Sequence, residues 1–334
     1  MKKSLKALLI CIVCIAVAVG GYFGTLSLIW SSNKDEMLPV YALPAVAVST
    51  DTPTDTPAIY FLNTQSSDCM LIYGGGDHWA MVDSAEDNDN PKNVASLDLP
   101  GYEDYVLTCV KNLTGGKLDW VLGTHCHSDH IGGFDTLFAD PAITVGTVYL
   151  KDYSMKNKNG IEDSWDNEIV WQQMVDAAAE RGFRVVSDIP SEPFALGSFT
   201  VQFLNTEDRY SLNGGENDNS IGTLLEANGQ RAFLSADINN TSFDEWRLAP
   251  VIGDIDLLKV GHHGHVGSSD VIFVNRLDPE FAVFTASSLT TFTAMKLSPT
   301  KAKLYVTGTE GALRADFLPE GIAVSQITPE LSLV

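Results

Sequence analysis

"DWVLGTHCHSDHIGGFDTL", residues 119–137, places three histidines and an aspartate within six positions. The whole chain of 334 residues holds seven histidines, so this density is far above its own average. Asp119 to Gly123 reads as a buried strand whose C-terminal end delivers the cluster, and Gly132-Gly133 close it. In an extended stretch, residues two apart face the same way, so His125 and His127 can share one cation. The chain then turns toward a helix, where Asp129 and His130 can face a second cation beside the first. Imidazole and carboxylate suit zinc, and also manganese or iron. The plainer alternative is a polar surface turn rich in histidine. So many ligand types in so short a stretch argue against it.

Outward from the cluster the texture is short strands mixed with fewer helices. "AIYFLN" (58–63), "CMLIYG" (69–74) and "WAMVDS" (79–84) are apolar runs separated by turn signals, as in a meander of buried strands. "FTVQFLN" (199–205), "IGTLLEAN" (221–228), "RAFLSAD" (231–237), "DLLKVG" (256–261), "FAVFTAS" (281–287) and "LYVTG" (304–308) read as further strands. "YEDYVLTCVKNLTGGK" (102–117) has helical spacing and a natural stop at Gly115-Gly116, and "WDNEIVWQQMVDAAAERG" (165–182) is the clearest helix. Helices near "TSFDEWRLA" (241–249) and "SSDVIFVNRLD" (268–278) are expected to start after Ser/Thr caps. This mixture predicts an α/β (α+β) fold, two sheets face to face with helices outside.

Composition sets limits on partners. Lys and Arg number 21 against 43 Asp and Glu, a formal net charge of -22. Such a surface repels nucleic acid and anionic lipid, so tight binding of duplex DNA is not expected. A small anionic substrate held by a metal escapes that argument. At the N-terminus Lys2, Lys3 and Lys6 precede a run to Trp30 that is apolar, small or hydroxyl. A bilayer-spanning helix takes roughly 20 residues, and the basic start predicts that end in the cytoplasm and the rest outside. Residues 1–30 are therefore expected to anchor the chain, with a cleaved signal and secretion as the alternative. Residues 31–57, with "VSTDTPTDTPA", read as an extended spacer, and 58–334 as one globular domain. Cys69, Cys109 and Cys126 lie too far apart to indicate a disulfide framework.

The H-x-H-x-D-H cluster after a buried strand resembles the signature of the metallo-β-lactamase superfamily. "FLNTQSSDCMLIYGGGDHWAMVDSA" (61–85), "ENDNSIGTLLEANGQRAFLSADI" (216–238), "DLLKVGHHGHVGSS" (256–269) and "LYVTGTEGALRADFLPEGIAV" (304–324) are similar to landmarks of its ComEC-like branch. That branch includes the hydrolase domain of competence proteins and its free-standing relatives. The resemblance covers roughly residues 58 to 325. It implies an αββα sandwich and a metal-dependent hydrolase with two divalent metal ions, zinc or manganese. It assigns His125, His127, Asp129, His130, Asp237 and His263 to the metals, with Asp237 bridging. Asp83 would orient a ligand imidazole rather than bind metal, and His262 would face substrate as a donor or proton carrier. His265 and His78 read as loop residues, and Cys126 as part of the wall.

The pattern departs from the wider superfamily in lacking a histidine between His130 and Asp237. The equivalent stretch is "NDNS" (217–220), so the first metal uses fewer protein ligands or accepts Asn217, Asp218 or Asn219. Competence proteins proper resemble H-x-D-x-D-H, whereas His127 stands here, which weakens any transfer of a DNA-uptake role. Two metals activate water and hold phosphate oxygens, with Asp129 or Asp237 managing the proton. No dedicated Ser, Cys or Lys nucleophile is in view, so direct attack by water is the simplest reaction. The expected substrate is a small-molecule or surface-polymer phosphoester, with a nuclease also compatible. The rival from another class is a surface binding or sensing module on the same fold.

Overall fold

The computed structural model describes residues 2–38, 55–88, 100–154, 160, 162–209 and 214–330. The first half begins with an antiparallel meander, β1 (Ala58–Phe61), β2 (Met70–Tyr73) and β3 (Trp79–Val82). It then turns parallel through β4 (Lys117–Gly123), β5 (Thr144–Leu150) and β6 (Arg184–Val186). The second half lays down β7 (Phe194–Leu196), β8 (Phe199–Leu204), β9 (Gly222–Ala227) and β10 (Gln230–Leu234) as antiparallel neighbours. Parallel strands β11 (Leu257–Lys259), β12 (Phe281–Phe284) and β13 (Lys303–Val306) follow. Finally β14 (Ala312–Leu318) and β15 (Gly321–Ile327) return to the first sheet beside β1. The result is an eight-stranded and a seven-stranded sheet among the described residues.

Alternation along the strands explains why the sheets stack. Ile59, Phe61, Ile72 and Leu122 point into the core between the sheets, with Val201, Leu225 and Leu234 facing them. Their neighbours Tyr60, Leu71, Met81 and Val121 point the other way, into a second core under helices α2 (Glu103–Thr114), α3 (Ser128–Ile131), α4 (Phe134–Ala139) and α5 (Asn167–Glu180). Phe233, Leu258 and Phe284 face a third core under α6 (Asp244–Ile252), α7 (Val271–Leu277) and α8 (Thr291–Leu297). A short α9 (Thr307–Glu310) leads into β14. Helices outside and two sheets inside are the expected αββα sandwich.

Two expectations are corrected. The N-terminal helix α1 (Lys2–Met37) runs past Trp30 through the first part of the proposed spacer. Met37 is fully buried against the third core, and Asn33 Nδ2 donates to the Ser298 carbonyl at 2.9 Å. Packing therefore sustains helix where composition suggested a tether; residues 39–54 of the spacer lie outside the described residues. Helices α6 and α7 do not start on Ser/Thr caps. Helix α7 is capped by Asp270, whose carboxylate accepts from Ile272 N, and α6 follows Phe243 without a side-chain cap.

Candidate metal centre

Strand ends converge on one spot between the sheets. Strand β4 delivers His125 and His127, α3 carries Asp129 and His130, the turn after β10 carries Asp237, and the loop after β11 carries His262 and His263. His125 Nε2 and His127 Nδ1 stand 3.0 Å apart. Asp237 reaches both sides of the cluster. Its Oδ1 lies 3.2 Å from His130 Nε2 and 3.5 Å from His263 Nε2. Its Oδ2 lies 4.0 Å from His125 Nε2 and 3.4 Å from His262 Nε2. Asp129 Oδ2 adds a contact of 3.4 Å to His263 Nε2.

Among the described residues, His130 Nε2, His263 Nε2 and Asp237 Oδ1 are buried and make no hydrogen bond. Buried polar atoms without partners call for an explanation such as an ion. His125, His130 and Asp237 form one group of atoms close enough to hold a cation, and Asp129, His130 and His263 form another. This His/Asp cluster fits a divalent metal.

Each imidazole is also held from behind, as metal-binding histidines commonly are. Asp83 Oδ2 meets His130 Nδ1 at 2.7 Å, and the same carboxylate accepts from Thr124 N and Oγ1 at 2.8 Å each. Thr124 Oγ1 lies 3.1 Å from His125 Nδ1. His127 Nε2 faces Glu162 Oε1 at 3.7 Å, with the Trp165 ring 5.0 Å away. His263 Nδ1 lies 3.0 Å from the Thr285 carbonyl and 3.3 Å from Asp68 Oδ1. Asp68 in turn forms a fully buried ion pair with Lys259, which also donates to the Ala236 carbonyl at 2.9 Å.

The electrostatics suit cations. Burial opposes a charge on His130, but Asp237, Asp83 and Asp129 outweigh it and hold the imidazole well above its usual range. Burial also opposes charge on His263, yet Asp237 and Asp68 carry it up to about 10. For His125, burial reinforced by His130 and His127 prevails and pushes it well below the ordinary value. Burial likewise takes His262 down to about 4 against the pull of Asp237. Lys259 stands beside Asp68 and 3.9 Å from Asp237, so the buried carboxylates are balanced in part by this lysine and by His130 and His263.

Asp129, His130, Asp237 and His263 are brought together as expected, with His125 and His127 adjoining. His262 differs, because its side chain is a quarter exposed and stacks on His265 at 4.7 Å. Both His262 and His263 hold left-handed backbone, φ 49° and 50°. Such strain in non-glycine residues concentrates at functional sites. His78 is exposed and pairs with Asp119 at 2.9 Å, and Cys126 is fully buried in the wall. Asp218 and Asn219 are engaged elsewhere, with Ser242 and Lys151 respectively. Sequence reasoning missed Asp68, Lys259 and Glu162. The one available signal was Lys259, a charge inside the apolar run "DLLKVG".

Residues 62–285 match the metallo-beta-lactamase superfamily model, and the chain belongs to that superfamily. Within it, the chain is 26% identical over 172 residues to ComE operon protein 3 of Bacillus subtilis (strain 168). That match takes in 51% of this chain and 20% of the relative, so it spans a fifth of the relative's length. Among solved structures, YhfI from Bacillus subtilis, a metallo-beta-lactamase fold protein, aligns at TM-score 0.48 and 15% identity over 77% of this chain and 99% of that one. Human tRNase Z, short form, aligns at TM-score 0.43 and 12% identity over 76% and 98%.

Proposed function

We propose that the chain is an exported, membrane-anchored hydrolase that holds two divalent cations, zinc or manganese, and cleaves phosphodiesters. The observation that carries this reading is Asp237, whose two oxygens face different histidines. His125 and His127 would hold one cation, Asp129, His130 and His263 the other, and Asp237 both. Two such cations supply a nucleophile from water at neutral pH and neutralise phosphate oxygens. The chain's own residues fix the geometry: Asp83, Thr124, Glu162 and Asp68 hold the rings in place through their outer nitrogens. His262, partly open to solvent and 3.4 Å from Asp237, would face substrate as a hydrogen-bond donor. Lys259 is sealed in and paired, which leaves it unsuited to attack substrate.

Family membership supports metal-dependent hydrolysis, and the similarity to ComE operon protein 3 supports a place at the membrane. The choice of a small or surface-polymer phosphodiester rests on charge, because a chain of net charge -22 offers little basic surface for a long duplex. Helix α1 contains a stretch, Cys11–Met37, long and apolar enough to cross a bilayer. The test compares bis-(p-nitrophenyl) phosphate, plasmid DNA and a chromogenic β-lactam, each with manganese and with zinc. Turnover of the phosphodiester is expected. Turnover of the β-lactam alone, or DNA cutting that collapses with salt, overturns the assignment. No turnover at all favours the binding module.

A further inference from the structure

Phe243, Trp246, Val266 and Ile272 are large apolar side chains that the fold leaves in solvent, at 61%, 42%, 54% and 60% exposure. They form one face. The rings of Phe243 and Trp246 lie 5.4 Å apart. The Asp270 carboxylate accepts from Trp246 Nε1 at 3.0 Å and from Ile272 N at 2.9 Å. The Val266 carbonyl accepts from Lys296 Nζ at 3.2 Å, and Lys296 lies over the Phe292 ring at 5.4 Å. Phe292 packs against Phe23 of α1, centroid to centroid 5.4 Å. The face therefore runs directly onto the N-terminal helix at Phe23, beside Tyr22.

The height of that junction follows from helix geometry. An α-helix rises 1.5 Å per residue, so about 20 residues cross a hydrocarbon core of roughly 30 Å. Counted from Lys3 or from Lys6, the crossing ends between Phe23 and Leu26. The apolar side chains of Leu8, Ile12, Val13, Ile15, Val17 and Val19 are exposed along this length, Leu26 is buried in the protein, and Leu28 on the opposite side of the turn is 75% exposed. Tyr22 and Phe23 thus mark the outer interface, the level at which amphipathic aromatic rings concentrate. Phe243 adds an independent sign. Its backbone is left-handed, φ 62° and ψ 22°, a costly conformation for a bulky residue whose ring the fold does not bury.

We infer that the face of Phe243, Trp246, Val266 and Ile272 lies in the headgroup layer of the bilayer that α1 crosses. This rests on α1 being a retained anchor. The contact is apolar, and its occupant is a zwitterionic lipid surface, since the acidic chain gains nothing from anionic headgroups. Val266 sits on the same loop as His262 and His263, so the metal centre stands at the membrane surface.

The test uses the full chain, with metal, reconstituted into phosphatidylcholine vesicles whose acyl chains carry bromine near the headgroup. Vesicle flotation reports the anchor. The difference in quenching between wild type and Trp246→Phe reports the face. We expect flotation, a quenched contribution from Trp246, and its exposure to aqueous iodide in Phe243→Ser/Ile272→Ser, which alters only exposed positions. Flotation with Trp246 unquenched by lipid and open to iodide overturns the face and leaves the anchor standing. Failure to float overturns face and anchor together and does not touch the proposed hydrolysis.

Discussion

Lys259 and Asp68 are both fully buried, and each is the other's counter-charge beneath the metal centre. Removing one partner of such a pair strands a charge, at a cost of about 3–5 kcal/mol. Lys259→Met should therefore lower unfolding stability in urea by that amount, and Asp68→Asn in the same chain should recover much of it. Glu162 stands behind His127 rather than on the cation side. Glu162→Gln should leave the fold intact while weakening metal affinity roughly 10- to 100-fold, measured by calorimetric titration. The histidines, Asp83 and Asp237 were legible because their spacing or flanking strands fit a known chemistry. Asp68 and Glu162 were not, because an isolated acid in a sequence says nothing of the ring it will meet. Within "NDNS", Asp218 and Asn219 turn toward Ser242 and Lys151, while Asn217 keeps a buried Oδ1 without a hydrogen bond.

At the scale of elements, the strands with long apolar runs were readable, and β4 leading into α3 placed the cluster correctly. Strands β5, β6 and β7 escaped notice. Strand β5, "TVGTVYL", carries Gly146 in its interior, and β6 and β7 are strands of only three residues at sheet edges, too short to show an alternating pattern. Gly146 has a physical reason, because a Cβ there would meet the Asp119 carbonyl oxygen of β4 at 2.5 Å. Gly146→Ala should cost roughly 1–3 kcal/mol, read from thermal unfolding, as overpacking does. The loop bearing His262 and His263 is latched from α6 by Glu245. That carboxylate accepts from Ser269 N and, at 2.8 Å, from Asp270 N. Glu245→Ala leaves both donors without their acceptor, about 1–3 kcal/mol each. Faster hydrogen exchange confined to residues 261–270 is the expected readout.

At the scale of the whole molecule, helix α1 packs onto the sandwich among the described residues. Helix α1 meets the domain through Asn33 and Met37, beyond the boundary that composition suggested. Protease added to intact cells should degrade the domain, whereas full protection would place it inside. Charge governs stability as well. Chelation leaves Asp129 and Asp237 facing each other across an empty centre, so the melting temperature should fall. At a free cation concentration of a hundred times Kd, the bound state gains about 2.7 kcal/mol by mass action. The central claim is that Asp237 joins two cation sites. Its most direct test is the metal content of the full chain, purified without chelator, for wild type, His127→Ala and Asp237→Ala. The account predicts two divalent ions per wild-type chain, with both variants folded and depleted. A wild-type content near zero, or an Asp237→Ala chain that keeps both ions, would contradict it.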